Sequence, residues 1–329
     1  MYTQVKGLKD LPMDEPLAPG HRLCPGCGAS VVVRQVLLAA PRDAVIANAT
    51  GCLEVSTALY GYSAWNRPWI HSAFANAAAV ASGIESGFKA LAARGEGQEH
   101  PIIVFGGDGG TYDIGFQALS GAIERGHRFL YVCYDNEAYM NTGIQRSGGT
   151  PMGAWTTTTQ VGSARAGKVE AKKDLVSIVV AHRIPYAATA SISHWRDLMT
   201  KVRKALAVNG PSLLHVMAPC TRGWRFDSAK TIKMSKLAVE SRFFPLYEVE
   251  GGVYRITFPV ASPKPVDEYL KSQGRYSHLF LPQNAAELET VKRGVDENYR
   301  RLEKLAQLTS QLYAPEPAAG AKPASCTTV

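Results

Sequence analysis

The sequence contains no apolar run approaching the roughly 20 residues that a membrane-spanning helix needs. Its first twenty residues lack the basic and apolar regions of a secretory signal. The formal charge of +8 comes from scattered Lys and Arg, without the arginine-rich runs that are typical of nucleic-acid binding. We therefore expect a soluble, cytoplasmic protein that binds neither membrane nor nucleic acid, and whose basic balance suits an acidic partner.

Cysteine is also scarce, because six in 329 residues are too few for a disulfide scaffold. Four of them lie in segments that contain Gly or Pro, and these are Cys24, Cys27, Cys52 and Cys220. Thiolates gathered from separate loops are typical ligands of an iron–sulfur cluster. A zinc site and a redox dithiol are the alternatives for the C-x-x-C pair. Cys133, in an apolar segment, and Cys326, in the tail, are not expected to take part in the chemistry.

A glycine-rich segment, residues 106–115, lacks both common nucleotide-binding patterns. It nevertheless lies between a predicted strand and a predicted helix, where backbone N–H groups can bind a diphosphate. Asp108 can bind a hard cation, and Asn136 with a following main-chain carbonyl can complete the oxygen ligands. The alternative is a glycine-rich turn that is capped by an aspartate.

Strand-like and helical patterns alternate along most of the chain. Residues 101–106 and 129–134 predict buried strands, and the helical spacing between them makes a βαβ unit, which favours a parallel sheet. Residues 71–93 are rich in Ala and predict one helix, whereas residues 240–285 are less regular. A long amphipathic helix is predicted over 286–312. Ligands of such sheets bind at the carboxyl ends of the strands.

Four segments make up the predicted domain organisation. They are a lead segment (1–20), a cofactor-binding domain (21–260), a helical C-terminal extension (261–312) and a tail (313–329).

Several strings in the chain resemble those of the beta subunit of pyruvate:ferredoxin oxidoreductase and its 2-oxoacid relatives. The strings are GHRLCPGCG (20–28), ATGCLE (49–54), GDGGTYDIG (107–115), DNEAYMNTGIQR (135–146), WTTTT (155–159) and the Pro-Cys pair at 219–220. The resemblance runs from about residue 20 to about residue 257. It implies an α/β fold with a mostly parallel, doubly wound sheet of the thiamine-diphosphate-binding type, followed by a C-terminal extension.

The resemblance also implies a set of site residues. The ligands of a proximal [4Fe–4S] cluster would be Cys24, Cys27, Cys52 and Cys220. The Mg²⁺ ligands would be Asp108, Asn136 and the carbonyl of Ala138. The residues at the thiamine diphosphate would be Cys52, Gly107, Asp108, Gly109, Gly110, Asn136, Glu137, Ala138, Tyr139, Met140 and Asn141. Asn141 would also meet the substrate, as a catalytic residue.

The function that the resemblance implies is oxidative decarboxylation of a 2-oxoacid. Coenzyme A would take the acyl group, and electrons would pass to the cluster and then to ferredoxin or another acidic acceptor. An alpha subunit, expected to supply the glutamate that activates the cofactor, and ferredoxin-like gamma and delta subunits would complete the complex. The string 139–142 favours pyruvate, with oxalate or an arylglyoxylate such as phenylglyoxylate as alternatives.

Two hypotheses from other classes stay open at this point. One is a non-redox thiamine enzyme with a structural zinc at the cysteines. The other is a non-catalytic electron-transfer or scaffolding subunit that keeps the fold.

Overall fold

Apolar segments form a single sheet of eight strands within residues 4–313, which are the residues that the computed structural model describes. In chain order the strands are β1 (Val45–Ala49), β2 (Trp69–Ser72), β3 (Ile102–Gly107), β4 (Leu130–Asp135), β5 (Tyr186–Ser191), β6 (Ser212–Met217), β7 (Tyr247–Glu250) and β8 (Val253–Ile256). Their order across the sheet is β2-β1-β3-β4-β6-β5-β7-β8. The first six positions are mutually parallel, whereas β7 and β8 pair antiparallel.

Helices connect the strands and cover both faces of the sheet. The α-helices of the described chain are α1 (Gly28–Ala39), α2 (Cys52–Thr57), α3 (Ala77–Ala93), α4 (Phe116–Glu124), α5 (Leu175–Val180), α6 (Trp195–Ala207), α7 (Thr221–Trp224), α8 (Thr231–Glu240), α9 (Val266–Lys271) and α10 (Ala285–Leu312). A π-helical turn spans Gly109–Ile114, and 3-10 turns span Leu8–Asp10, Ser228–Lys230, Gly274–Phe280 and Pro282–Asn284. None of the described helices has the length and apolar character that crossing a membrane requires.

Alternate residues of the central strands enter two different cores. Ile46 and Phe105 pack with α1 and α6 on one face, whereas Ala47 and Val104 pack with α3, α4 and α5 on the other. β3 and β4 are buried along almost their whole length, as expected for parallel strands with helices on both faces. The predicted α/β fold with a mostly parallel, doubly wound sheet is therefore confirmed.

The predicted helix over residues 71–93 is wrong in its first part. Strand β2 continues to Ser72, and α3 begins only at Ala77. β2 is an edge strand of four residues whose neighbour is β1, and both Ile70 and His71 are exposed. Such a short, half-exposed strand buries too little apolar surface to produce a recognisable alternation.

The C-terminal part of the described chain returns to the sheet. Helix α10 contacts β8, and its Leu302 joins the core that contains α3, α4 and α5. A third core lies between α8, α9 and the 3-10 turn Gly274–Phe280, and it includes Trp224 and Tyr276. Except for residue 313, the tail predicted over 313–329 lies outside the described residues, and Cys326 lies outside them as well.

The carboxyl ends of the parallel strands meet at one edge of the sheet. β1 leads outward to β2, whereas its other neighbour, β3, leads to β4 in the opposite direction. The chain therefore reverses its progression across the sheet between β1 and β3. Crevices at such switch points are where open α/β sheets bind ligands.

Candidate active site

A cavity of about 120 Å³ opens at the switch point between β1 and β3. The turn after β1, the π-helical turn after β3 and the loop after β4 surround it. Its lining residues are Thr50, Gly51, Cys52, Phe74, Gly107, Asp108, Gly109, Gly110, Tyr134, Asn136, Ala138, Tyr139, Met140, Asn141 and Thr142. Ten of the eleven residues predicted at the cofactor are in this set, and Glu137 is the eleventh.

Glycine is required at position 109, in the wall of the cavity. A β-carbon at Gly109 would lie 2.4 Å from Cε1 of Tyr139, which is too close for any real contact. The Tyr139 ring in turn packs edge-to-face on Phe74, with 5.7 Å between the ring centroids. The backbone of the turn and the two aromatic rings therefore fit together only when position 109 carries no side chain.

Three oxygen atoms face one another beside the cavity. The side-chain oxygen of Asn136 lies 2.9 Å from Asp108 Oδ1 and 2.9 Å from the carbonyl oxygen of Ala138. With Asp108 ionised, none of these oxygens carries a hydrogen, so the contacts as they stand are repulsive. Two arrangements remove the repulsion. A cation can bind all three oxygens, or the Asn136 amide can rotate so that its nitrogen donates to the other two.

The electrostatic environment of Asp108 favours the cation. Burial, and then the charge of Asp135, raise the pKa of Asp108 well above its usual range. The hydrogen-bond donor to Asp108 Oδ2 is the neutral hydroxyl of Ser147. The charge of Lys172 lowers this pKa, but not by enough to offset burial and the like charge of Asp135. An ionised carboxylate in such surroundings is costly, and a bound cation would offset that cost.

The neighbouring carboxylates, Asp135 and Glu137, are in contrast paired with cations. Lys172 Nζ lies 2.7 Å from Asp135 Oδ2 and 2.9 Å from Glu137 Oε1. Arg275 Nη2 lies 2.5 Å from the other Glu137 oxygen, and His215 Nε2 lies 2.7 Å from Asp135 Oδ2. Burial opposes the charge of Lys172, but the two carboxylates prevail and raise its pKa. Lys172, Arg275 and His215 are not among the residues that line the cavity, so these pairs support the loop from outside it.

The backbone at Glu137 has an unusual conformation. Its φ is +69°, in the left-handed region that a residue with a side chain adopts only at some cost. The carbonyl of Glu137 accepts a hydrogen bond from Thr150 Oγ1 at 2.7 Å. Beside this turn the Asn136 side chain contacts both the Ala138 carbonyl oxygen and Asp108.

The four cysteines expected to act together meet at the same edge of the sheet. Burial first, and the nearby thiols in addition to it, raise the pKa of Cys27 to about 11 and that of Cys52 to about 12. Burial raises the pKa of Cys220 as well. Two neighbouring thiolates repel each other, and each pair among Cys24, Cys27, Cys52 and Cys220 contributes in this way to one of the three pKa shifts. Cys133, by comparison, is buried within β4.

Tight backbone contacts bring the cysteine loops together. The Gly28 N–H, at the start of α1, donates to the carbonyl of Pro219 at 3.0 Å. A β-carbon at Gly28 would lie 2.7 Å from the Pro219 nitrogen, so the C-x-x-C loop and the Cys220 loop need a glycine where they touch. The Cys220 sulfur accepts a hydrogen bond from the Gly223 N–H at 3.3 Å, and the same kind of bond reaches Cys27 from the first turn of α1.

Cys52 belongs to both parts of the site. It lines the cavity, and it interacts electrostatically with the other three cysteines of the set. Within residues 4–313, no group of three or more His, Cys, Asp or Glu side chains has the arrangement of a site for a metal ion. A cluster with four irons takes one thiolate at each iron, so its ligands need not converge on a single point.

Several residues of the site were missed by the sequence interpretation. Lys172 and Arg275 support the loop after β4, Ser147 donates a hydrogen bond to Asp108, and Thr50 and Phe74 line the cavity. Lys172 and Arg275 lie far along the chain from the motifs, and nothing in their local sequence distinguishes them from surface lysine or arginine. Ser147 directly follows the string 135–146, and Thr50 lies within the string 49–54, but neither was assigned to the site.

This fold and site define a thiamine-diphosphate enzyme domain. The family described as the C-terminal TPP-binding domain of thiamine pyrophosphate enzymes matches residues 49–216, which is more than half of the chain. Among solved structures, a 2-oxoglutarate:ferredoxin oxidoreductase from Magnetococcus marinus is similar at a TM-score of 0.52 and 18% identity. The match covers 70% of this chain and 84% of that one, and it shows that the fold is shared.

The chain belongs to the family of the B subunits of pyruvate synthase and ketoisovalerate oxidoreductase. It is 54% identical to the pyruvate synthase subunit PorB of Methanocaldococcus jannaschii over 294 residues, which cover 88% of this chain and 97% of that protein. It is 52% identical to the PorB of Thermotoga maritima over 89% of this chain and 93% of the relative. The ketoisovalerate oxidoreductase subunit VorB of Pyrococcus horikoshii is 45% identical, and the match covers 93% of this chain and 98% of that protein.

Proposed function

We propose that this chain is the catalytic, thiamine-diphosphate-binding subunit of a 2-oxoacid:ferredoxin oxidoreductase and that its substrate is pyruvate. The observation that carries the proposal is the position of Cys52, which lies both in the wall of the cavity and within the set of four cysteines. A cofactor that releases electrons and a cluster that accepts them would be neighbours there. The two PorB relatives named above, at 54% and 52% identity, support pyruvate.

Asp108, Asn136 and the Ala138 carbonyl would hold Mg²⁺. Magnesium binds oxygen ligands at 2.0–2.1 Å in an octahedron, which places adjacent ligands about 3 Å apart. The Asn136 oxygen meets this requirement with both of its neighbours, at 2.9 Å each. The diphosphate would complete the ligands and lie against the backbone of residues 107–110, where N–H groups begin the π-helical turn.

Cys24, Cys27, Cys52 and Cys220 would hold a [4Fe–4S] cluster. Hydrogen bonds from backbone N–H groups to the sulfurs of Cys27 and Cys220 are of the kind that stabilise thiolate ligands and tune the potential of a cluster. Iron with acid-labile sulfide in the purified protein would support this assignment. One zinc per chain in its place would favour the non-redox alternative.

Bound thiamine diphosphate supplies the electron sink that decarboxylation of a 2-oxoacid requires. The residues around the cavity would orient the cofactor and the substrate. Tyr139 and Met140 shape the apolar wall of the cavity, and Asn141 lies exposed at its mouth, where its amide can hydrogen-bond the substrate. Asp108 carries the only carboxylate among the described residues that line the cavity, and it is assigned to the metal.

A general acid or base is therefore expected from a partner. We propose an alpha subunit that closes the cavity and supplies it, together with ferredoxin-like gamma and delta subunits that carry electrons onward to ferredoxin. The relatives are named as subunits, which supports assembly into a complex of this kind. Coenzyme A is proposed as the acyl acceptor.

Replacing Gly109 by Ala should weaken the binding of thiamine diphosphate. The new β-carbon would displace the Tyr139 ring, and a misplacement of about 1 Å near reacting groups can cost about a hundredfold in rate. We expect a loss of cofactor affinity of at least tenfold, measured by titrating the Mg²⁺-loaded complex with thiamine diphosphate. Gly87→Ala on α3 is the matched control, because a β-carbon there meets no atom within 4 Å. Equal affinities in the two variants would refute the role of Gly109.

The substrate is tested with the complex purified under anaerobic conditions. Reduction of a low-potential acceptor should depend on pyruvate, coenzyme A, Mg²⁺ and thiamine diphosphate together. A larger kcat/KM for the branched 2-oxoacid ketoisovalerate would reassign the substrate, as the VorB relatives at 45% identity permit. Lack of activity with every 2-oxoacid would overturn the proposed function.

A further inference from the structure

Two buried side chains connect residues 135–138, called the metal loop because they include two of the proposed Mg²⁺ ligands, to the turn that carries Cys220. The first is Trp224, the last residue of α7, which is 0% exposed. Its indole N–H donates to the carbonyl of Asn136 at 2.8 Å. Cys220 stands immediately before the same short helix, so the indole connects one proposed ligand loop to the other.

The second side chain is Arg275, which is 2% exposed and comes from the 3-10 turn Gly274–Phe280 in the C-terminal part of the chain. Its guanidinium binds Glu137 Oε2 through Nη2 and Gln273 Oε1 through Nε, at 2.5 and 2.8 Å. The guanidinium carbon lies 4.0 Å from the centroid of the Trp224 ring. Arg275 therefore holds Glu137, stacks on Trp224 and fixes both at once.

Burial makes these contacts consequential. The left-handed backbone at Glu137 requires support from its surroundings, and the Arg275 and Lys172 ion pairs provide it. The positive charge of Arg275 also reaches the cysteine set. Its guanidinium stacks on Trp224, with 4.0 Å to the ring centroid, and Trp224 ends the short helix that begins directly after Cys220.

We propose that Arg275 and Trp224 form a positioning pair that couples the metal loop 135–138 to the Cys220 turn. Through Trp224 the pair sets the affinity for Mg²⁺–thiamine diphosphate, because the indole holds the Asn136 backbone. Through its charge, Arg275 raises the reduction potential of the cluster, because the reduced cluster carries more negative charge than the oxidised one. This inference rests on the proposed function, since it assumes that both groups bind to this chain.

Three substitutions in the complete complex separate the two effects. Trp224→Phe keeps the ring and loses the indole N–H, so cofactor affinity should fall about tenfold while the cluster potential stays unchanged. Arg275→Gln keeps a hydrogen-bond donor and removes the charge, so the potential should become more negative and the affinity should fall. Arg275→Lys keeps the positive charge but lacks the planar guanidinium with its several N–H donors. The reduction potential of the cluster should therefore stay near that of the unmodified complex, while the affinity for thiamine diphosphate stays low.

The measurements are a titration of the Mg²⁺-loaded complex with thiamine diphosphate and a redox titration of the cluster followed by electron paramagnetic resonance. Neither requires turnover. Arg94→Met, an exposed arginine at the end of α3 that pairs with Glu96, is the matched control and should change neither quantity. Iron content and the thermal unfolding midpoint verify that each variant is folded and loaded.

The inference is overturned if Arg275→Gln leaves both affinity and potential at the values of the unmodified complex. It is also overturned if Trp224→Phe leaves the affinity unchanged. An unmodified complex without iron at this chain, or without cofactor binding, would instead refute the proposed function, and the two failures can therefore be distinguished. If Arg275→Gln fails to fold, Arg275→Lys and Trp224→Phe still decide the question of affinity.

Discussion

Asp108→Asn is expected to reduce thiamine-dependent turnover by at least about a hundredfold. Changing a residue that merely supports a metal ligand typically lowers metal affinity or activity by about 10–100-fold, and the loss of a direct anionic ligand should lower them by no less. The substitution keeps the shape of the side chain and removes its charge. The hydroxyl of Ser147 can still find an oxygen acceptor at position 108, so the local structure should survive. The measurement is turnover as a function of Mg²⁺ and thiamine diphosphate concentration.

The matched control is Asp296→Asn, which makes the same chemical change at an exposed position on α10. It should leave turnover and the requirement for Mg²⁺ unchanged. Burial raises the pKa of Asp108, which means that its charge is unfavourable in the folded protein when no cation is bound. Without metal, the Asp108→Asn protein should therefore be at least as stable to thermal unfolding as the unmodified protein. An Asp108→Asn complex with normal turnover and normal Mg²⁺ dependence would remove Asp108 from the metal site.

Cys52→Ser is expected to abolish assembly of the cluster on this chain. A serine hydroxyl is a poor substitute for a thiolate ligand to iron, so one of the four irons would lose its thiolate. Iron in the full-length chain, purified without oxygen, should fall from about four atoms per chain toward none. Acid-labile sulfide should fall in parallel, and the visible absorption of the cluster should disappear.

Cys133→Ala is the control for this experiment. Cys133 is fully buried in β4, so its truncation should cost some stability while the iron content is preserved. If Cys133→Ala loses iron and Cys52→Ser retains it, the assignment of the ligands is wrong. The pair thus distinguishes a cysteine that binds the cluster from one that only fills the core.

Much of the fold could be predicted because its central strands are apolar and buried. β3 and β4 leave uninterrupted apolar runs, and the helix between them has regular spacing. The parts that were missed are those with weak local patterns. β7 and β8, in the segment described as less regular, are four residues each, and their alternation is short. The last two residues of β2, His71 and Ser72, fall in the predicted helix for the same reason.

The residues of the site also differ in whether the sequence could predict them. Motif residues such as Asp108 and Asn136 stand directly after strands, so their convergence follows from the topology of a parallel sheet. Lys172 and Arg275 reach the same loop from positions 35 and 138 residues beyond Glu137. No rule of spacing connects residues that are so far apart. Only the folded chain shows that the C-terminal turn 274–280 supports the metal loop.

The proposed function requires that electrons leave the substrate through the cluster that the cysteines of this chain would hold. The anaerobic complex is mixed with pyruvate, without coenzyme A or an external acceptor, and the clusters are followed by electron paramagnetic resonance. We predict that pyruvate reduces the clusters of the unmodified complex and no cluster of the Cys52→Ser complex. Dithionite should still reduce the clusters of partner subunits in both. Reduction by pyruvate in Cys52→Ser at the unmodified rate would contradict the claim.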